Sequence, residues 1–160
     1  MKRLFIGFFA IGVIVSNSHA QSKESGFSFG AGVKVAIPVS NLDYTSVGAG
    51  VEAQAEYKII KQVSVLASAG YSRYFGKDGY DDLNLVPVLG GVRFYPMNNF
   101  FIGAKAGVVI NTAAHAGSAF NYLPQVGYNM QHFQFTAGYD AWTKDGLSAG
   151  SVAAGAIYKF

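Results

Sequence analysis

The chain has 160 residues, 12 of them basic and 9 acidic, with 20 Gly, 4 Pro, 13 Phe, 10 Tyr and no Cys. That length makes one domain once a leader is removed, and the lack of Cys excludes both a disulfide framework and a lipid-modified cysteine start. Abundant Gly and aromatic residues suit many strands joined by tight turns and suit helices badly.

The first element is a leader. Lys2 and Arg3 form a basic start, Leu4 to Val15 an apolar run, and Ser18-His19-Ala20 a small-residue processing site. This pattern predicts a signal peptide over residues 1–20, cleaved before Gln21, and a mature domain over 21–160. The apolar run is too short to span a bilayer as a helix, and the polar Ser16-Asn17-Ser18 follows it. Losing Lys2 and Arg3 leaves ten basic against nine acidic residues. With no basic run and no helix-turn-helix or RNA-binding signature, nothing points to a nucleic-acid partner.

After the leader, no segment repeats every 3.6 residues; the period is two. Phe27, Phe29, Ala31, Val33, Val35 and Ile37 alternate with Ser28, Gly30, Gly32, Lys34 and Ala36. Val47 to Ile59 alternates in the same way against Gly48, Gly50, Glu52, Gln54, Glu56 and Lys58. Val63 to Tyr71 marks a third strand and Val86 to Phe94 a fourth, with Leu89, Gly91 and Arg93 on its other face. Ile102 to Ile110 is a fifth, opposed by Gly103, Lys105 and Gly107. Tyr122 to Tyr128, Phe133 to Tyr139 and Val152 to Phe160 complete eight. Pro124 leaves the register of the sixth open, and Pro87 is expected near a strand end or bulge, because neither can donate to a ladder.

Connections alternate in length. Lys61-Gln62, Pro96 to Asn99 and Asn129 to His132 are short; Ser40 to Ser46, Gly76 to Asp82, Asn111 to Ala119 and Asp140 to Leu147 are longer. Aromatic residues fall in two groups. One follows the short turns and termini (Phe27, Phe29, Tyr57, Phe94, Tyr95, Phe100, Phe101, Tyr128, Phe133, Phe135, Tyr158, Phe160), the other the longer loops (Tyr71, Tyr74, Phe75, Phe120, Tyr122, Tyr139, Trp142). Short turns on one rim, longer loops on the other and aromatic girdles between predict an all-β, eight-stranded antiparallel up-and-down transmembrane β-barrel. A soluble barrel or sandwich would keep its large apolar residues inside.

The signal peptide, the Gly-rich alternating strands, the segment Pro87-Val88-Leu89-Gly90-Gly91-Val92-Arg93-Phe94-Tyr95 and the terminal Tyr158-Lys159-Phe160 together resemble the small outer-membrane β-barrel family common in Bacteroidota. The resemblance implies localisation in the cell outer membrane, contact with its lipid including lipopolysaccharide, and insertion by the outer-membrane assembly machinery. Tyr158 and Phe160 would be the assembly signal. It carries no catalytic residue, cofactor or metal to this chain.

Chemistry must come from the polar face. Lys34, Glu52, Glu56, Lys58, Arg93 and Lys105 fall on inward positions, where buried charges must pair, so an interior ion-pair network is expected, with Glu52 and Glu56 serving the cations. Eight strands leave an interior that side chains can fill, which favours a monomeric, non-enzymatic barrel acting in envelope structure or surface interaction through its loops. The alternative is a narrow passive channel for small solutes, and a third reading is a lipid-modifying enzyme built on His115 and Ser118. No nucleophile elbow or orienting acid accompanies that pair. His132 lies toward the other rim, and Asp78, Asp81 and Asp82 form an acidic loop without the spacing of a calcium loop.

Overall fold

The computed structural model describes residues 26–112 and 117–160. The predicted leader, the lead-in Gln21 to Glu24 and His115 lie outside the described residues. Eight strands follow in order: β1 (Gly26–Ser40), β2 (Thr45–Ile60), β3 (Val63–Gly76), β4 (Leu83–Phe94), β5 (Phe100–Asn111), β6 (Ser118–Asn129), β7 (Phe133–Lys144) and β8 (Leu147–Lys159). Each pairs antiparallel with its neighbour in sequence, and β8 returns to β1 to close the cylinder. Closure removes every unpaired edge. It runs from Gly30 opposite Lys159 to Ser40 opposite Gly150.

Alternation decides what each face carries. Residues opposite each other across a ladder share a face, so Val92, Ala104 and Pro124 stand together on the outside while Arg93, Gly103 and Gln125 stand together inside. Three prolines lie within strands: Pro38 is near the loop end of β1, where the ladder to β8 shifts register between Pro38 and Ser40, and Pro87 and Pro124 lie further from a strand end. Pro124 sits mid-β6 opposite Ala104; toward β7 the ladder breaks between Tyr122–Ala141 and Gln125–Gly138 and resumes in the same register. Pro87 differs from its expected place at a strand end or bulge. It lies inside β4, opposite Val109, with the β3 ladder broken between Ala69–Val88 and Ser72–Leu85. At Pro87 and Pro124 the missing N–H thus interrupts one ladder while the other neighbour holds the strand in line.

The strands also run further toward the loop rim than alternation alone suggests. The longer loop expected from Asp140 to Leu147 is a two-residue hairpin, Asp145-Gly146, with positive φ at both residues (51° and 81°). That is the primed turn whose twist matches the flanking strands. Asp140 therefore belongs to β7 and faces inward.

Four aromatic residues expected in the outer girdles lie inside instead. Phe101 and Tyr95 pack together at the short-turn end (5.6 Å between ring centres), and Tyr74 packs on Trp142 at the loop end (5.5 Å). Phe101 is 0% exposed and Tyr74 1%. Facing glycines make room for two of these rings. A Cβ on Gly127 would lie 2.3 Å from the Phe101 ring, and one on Gly48 would lie 2.7 Å from Tyr74. The remaining girdle residues stay outside, as with Phe27, Phe29, Phe94, Phe120 and Phe160.

Candidate functional site

The site is the barrel interior, built from inward positions of all eight strands. At the short-turn end its centre is Glu56, on β2 opposite Leu66. Arg93 donates from Nη1 to Glu56 Oε2 at 2.5 Å, Ser64 donates to Oε1 at 2.6 Å, and the Tyr95 hydroxyl donates to the same oxygen. Arg93 also donates from Nη2 to Gln54 Oε1 (3.0 Å) and lies over the Phe101 ring, 4.4 Å from its centre. Gln54 passes the chain on to Gln134 (3.0 Å), and Gln134 to Asn129 (2.7 Å). A buried carboxylate with three donors and a buried guanidinium with two acceptors and a ring meet the condition for tolerating charge away from water. Lys58 stands over the outer side of this cluster, 4.8 Å from the centre of the Tyr95 ring.

Midway along the barrel Lys105 donates to Glu52 (2.6 Å) and approaches Ser68 (3.4 Å). Toward the loops Lys34 donates to Asp140 (2.9 Å), whose other oxygen accepts from Asn121 (2.8 Å). The acid serving Lys34 is thus Asp140, a residue the sequence reading left in a loop. Its signal was parity: Asp140 lies an even step from Gln134 and Thr136, on the polar face of the same strand. Gln54, Gln134, Asn121, Ser64 and Tyr95 also join the network without having been singled out.

Above Asp140 the interior turns apolar. Ala36, Leu42, Tyr74, Leu85, Val109 and Ala153 form a buried cluster against which Leu83, Ala119, Trp142 and Ala149 pack. Leu42 comes from the β1–β2 loop and is pinned there by two donations from Thr45 to its carbonyl, both 2.9 Å. Two cavities lie in the interior, one of about 10 Å³ against the apolar cluster, lined by Tyr74, Leu85, Val109 and Trp142 with Lys34 and Asp140, and one of about 30 Å³ around Lys34, Glu52 and Lys105. A water needs roughly 10–15 Å³ by this measure, so neither amounts to a lumen.

At the loop rim Arg73 faces outward and pairs with Asp82, which also accepts from the Gly76 N–H at 2.9 Å. The Gly76 N–H and the Arg73 guanidinium hold the Asp82 carboxyl below the ordinary aspartate value of 3.8. A depressed pKa adds stability above the unfolded value and loses it as pH falls through the folded one. The β3–β4 loop is therefore expected to keep its closed form from neutral pH down past 3.8 and to loosen only in stronger acid, read by an Asp82 carboxyl NMR titration. A midpoint at or above 3.8 would remove this bond from the description. Among the described residues no three His, Asp or Glu side chains converge as metal ligands, Asp78, Asp81 and Asp82 included. Ser118 stands exposed at the start of β6, and His132 stacks on Tyr158 at the opposite rim, 6.1 Å between rings.

No family model matches the chain, and no curated protein matches it in sequence. Its fold is similar to solved structures. The Yersinia pestis outer membrane protein Ail in a phospholipid bilayer nanodisc superposes with a TM-score of 0.59 at 16% identity, covering 84% of this chain and 100% of that one. Neisserial surface protein A gives 0.53 at 18% identity, covering 86% and 100%. A structure from de novo design of transmembrane β-barrels gives 0.56 at 18% identity, covering 88% and 98%. At such identities the likeness shows a shared architecture, the closed eight-stranded barrel.

Proposed function

We propose that this chain is a non-enzymatic integral barrel of the outer membrane, exported by residues 1–20, inserted by the assembly machinery as a monomer, and acting in envelope structure or surface contact through its loops. The exterior carries this reading. Outward strand positions are overwhelmingly Val, Ile, Ala, Phe and Tyr, and Arg73, close to the loop rim, is the one charged outward residue among the described strand residues. Among the described residues thirty-four large apolar side chains are exposed, a load that water would penalise and hydrocarbon would not. The similar fold of Ail, described in a lipid bilayer nanodisc, supports the same reading. Our narrower assignment, to the small outer-membrane barrels of Bacteroidota, rests on the Pro87 to Tyr95 segment and the terminal Tyr158-Lys159-Phe160.

In this reading Lys34, Glu52, Glu56, Lys58, Arg93 and Lys105 fill the barrel and hold its strands in register, and lipopolysaccharide is the lipid met at the loop rim. Two experiments test it. Expressed protein should fractionate with the outer membrane and migrate on a denaturing gel as a compact form that boiling converts to a slower one. In planar bilayers it should give no stable single-channel steps; reproducible steps would favour the narrow channel.

Tyr158 and Phe160 serve two ends. Their rings pack 5.6 Å apart, and the Phe160 N–H donates to the Phe29 carbonyl at 2.9 Å, extending the closing seam. Deleting Phe160 is expected to cut the heat-modifiable fraction recovered from the outer membrane several-fold. An unchanged fraction would remove the assembly-signal role and leave the fold untouched.

A further inference from the structure

The short-turn mouth of the barrel holds more positive charge than its acids can pair. Lys58 on β2 and Lys159 on β8 stand half-buried on the inward face, one on each side of β1. Lys58 lies opposite Gly26 and Lys159 opposite Gly30, with Ser28 between them on the same face of β1. A Cβ on Gly26 would meet nothing within 4 Å, so the wall beside Lys58 is open. Lys159 interacts electrostatically with Lys58, Arg93 and Glu56. Those four groups carry three positive charges and one negative, a net of +2. Glu56 already accepts from Arg93, Ser64 and Tyr95, and among the described residues no ion pair uses Lys58 or Lys159. Every Asp among the described residues lies toward the loop rim.

We infer that this mouth is a binding site for a phosphate group arriving from the aqueous side. Charge selects the ligand. A phosphate monoester carries about −1.5 to −2 at neutral pH, which matches the excess; a carboxylate would leave one ammonium uncompensated. Its acceptor oxygens can be met by Lys58, Lys159 and the Ser28 hydroxyl. The rings of Tyr95 and Phe101 wall the mouth on its inner side, and the lowered dielectric there strengthens attraction beyond that of an open surface. Position selects the source. Lipid headgroups flank the outer wall, where Phe27, Phe29, Tyr57, Tyr158 and Phe160 are exposed, whereas the two lysines face the bore. A soluble phosphate monoester fits that approach.

The opposite rim disfavours such a ligand. Among the described residues Asp43, Asp78, Asp81 and Asp145 are exposed there against Lys77 and Lys144, four negative charges to two positive, with Arg73 and Asp82 paired to each other. The barrel is thus polarised along its axis, and its field draws an anion to the short turns. The site rests on the geometry of the mouth; that it opens on the periplasm rests on the outer-membrane reading proposed above.

The test titrates inorganic phosphate, and acetate at matched ionic strength, into the folded protein in an alkyl maltoside detergent, which carries no phosphate, and follows backbone amide NMR shifts. Phosphate should give saturable shifts at Ser28, Lys58 and Lys159 and none at Asp78 or Asp81, and acetate should bind several-fold more weakly. Lys58→Gln and Lys159→Gln should each weaken phosphate binding several-fold and together abolish it, while Lys77→Gln leaves it unchanged. Shifts that do not saturate, or an equal response to acetate, would overturn the inference. Nanodiscs of anionic phospholipid test the source: the same shifts without added phosphate, and no further response to it, would assign a lipid headgroup and overturn the aqueous one. If the lysine variants do not fold, the wild-type titrations decide alone. Binding is read in detergent, so its failure would leave the outer-membrane fractionation and the heat-modifiable migration untouched.

Discussion

Replacing Arg93 by Met is expected to destabilise the folded barrel by about 3–5 kcal/mol, because it leaves Glu56 as an uncompensated buried charge. Arg93 is 1% exposed and Glu56 4%. Met fills much of the same space, so the loss should come from charge and not from a cavity. Glu56→Leu should cost a similar amount by stranding the guanidinium, together with the Ser64 and Tyr95 hydroxyls. Combining the two changes should then cost clearly less than the sum of the singles, since no charge remains to strand. Urea unfolding in lipid vesicles, followed through the single Trp142, gives all four corners of this cycle. Additive single effects would show that Arg93 and Glu56 act independently, against the geometry of their 2.5 Å contact.

The second large effect lies on the opposite face. Ala104 points outward near the middle of β5, between Val92 and Pro124. Ala104→Arg is expected to cost about 2–4 kcal/mol if hydrocarbon surrounds that position, whereas Ser118→Arg, at the loop end of β6, should cost about 0–1 kcal/mol. Both substitutions add the same side chain to an outward site, so the difference isolates depth in the membrane. Equal costs would refute the depth assignment.

Much of this molecule could be read from period two alone. Strand number and order follow from alternation over long uninterrupted runs such as Phe27 to Ile37, and the same alternation puts Lys34, Glu52, Glu56, Lys58, Arg93 and Lys105 opposite the apolar face in the sequence. The misreadings concentrate at the rims, and they share a physical cause. Toward the loops the alternation loses its contrast: Tyr74, Leu85, Val109 and Trp142 are inward there although apolar, and Arg73, Ser118 and Thr143 stand outward beside Phe75, Ile110 and Phe120. A rule of apolar outside and polar inside stops working where the strands pass the apolar belt, so Asp140 to Lys144 looked like a loop. Tyr95 and Phe101 were misplaced for a related reason. An aromatic at a strand end suits either an interfacial girdle or an interior plug, and only the position of Gly127 across the ladder decides for Phe101. Ladder breaks at Pro87 and Pro124 were foreseeable as irregularities, but that each spares the register depends on the second neighbouring strand.

The ion-pair partners illustrate a further limit. Which acid meets which base depends on shear around the cylinder, a property of all eight strands together. Lys34 reaches across the closing seam side of the barrel to Asp140, 106 residues away. No short-range pattern contains that pairing.

The chain lacks Cys, so single cysteines introduced one at a time from Ile102 to Val109 give unique spin-label sites along β5. In lipid vesicles, labels at 102, 104, 106 and 108 should show high collision rates with dissolved oxygen and low rates with a water-soluble nickel chelate, while labels at 103, 105, 107 and 109 should be protected from oxygen. A clean two-residue period would place hydrocarbon against the outer face and the charge network behind it. Uniform accessibility along the segment, or an oxygen maximum at 105, would contradict that arrangement.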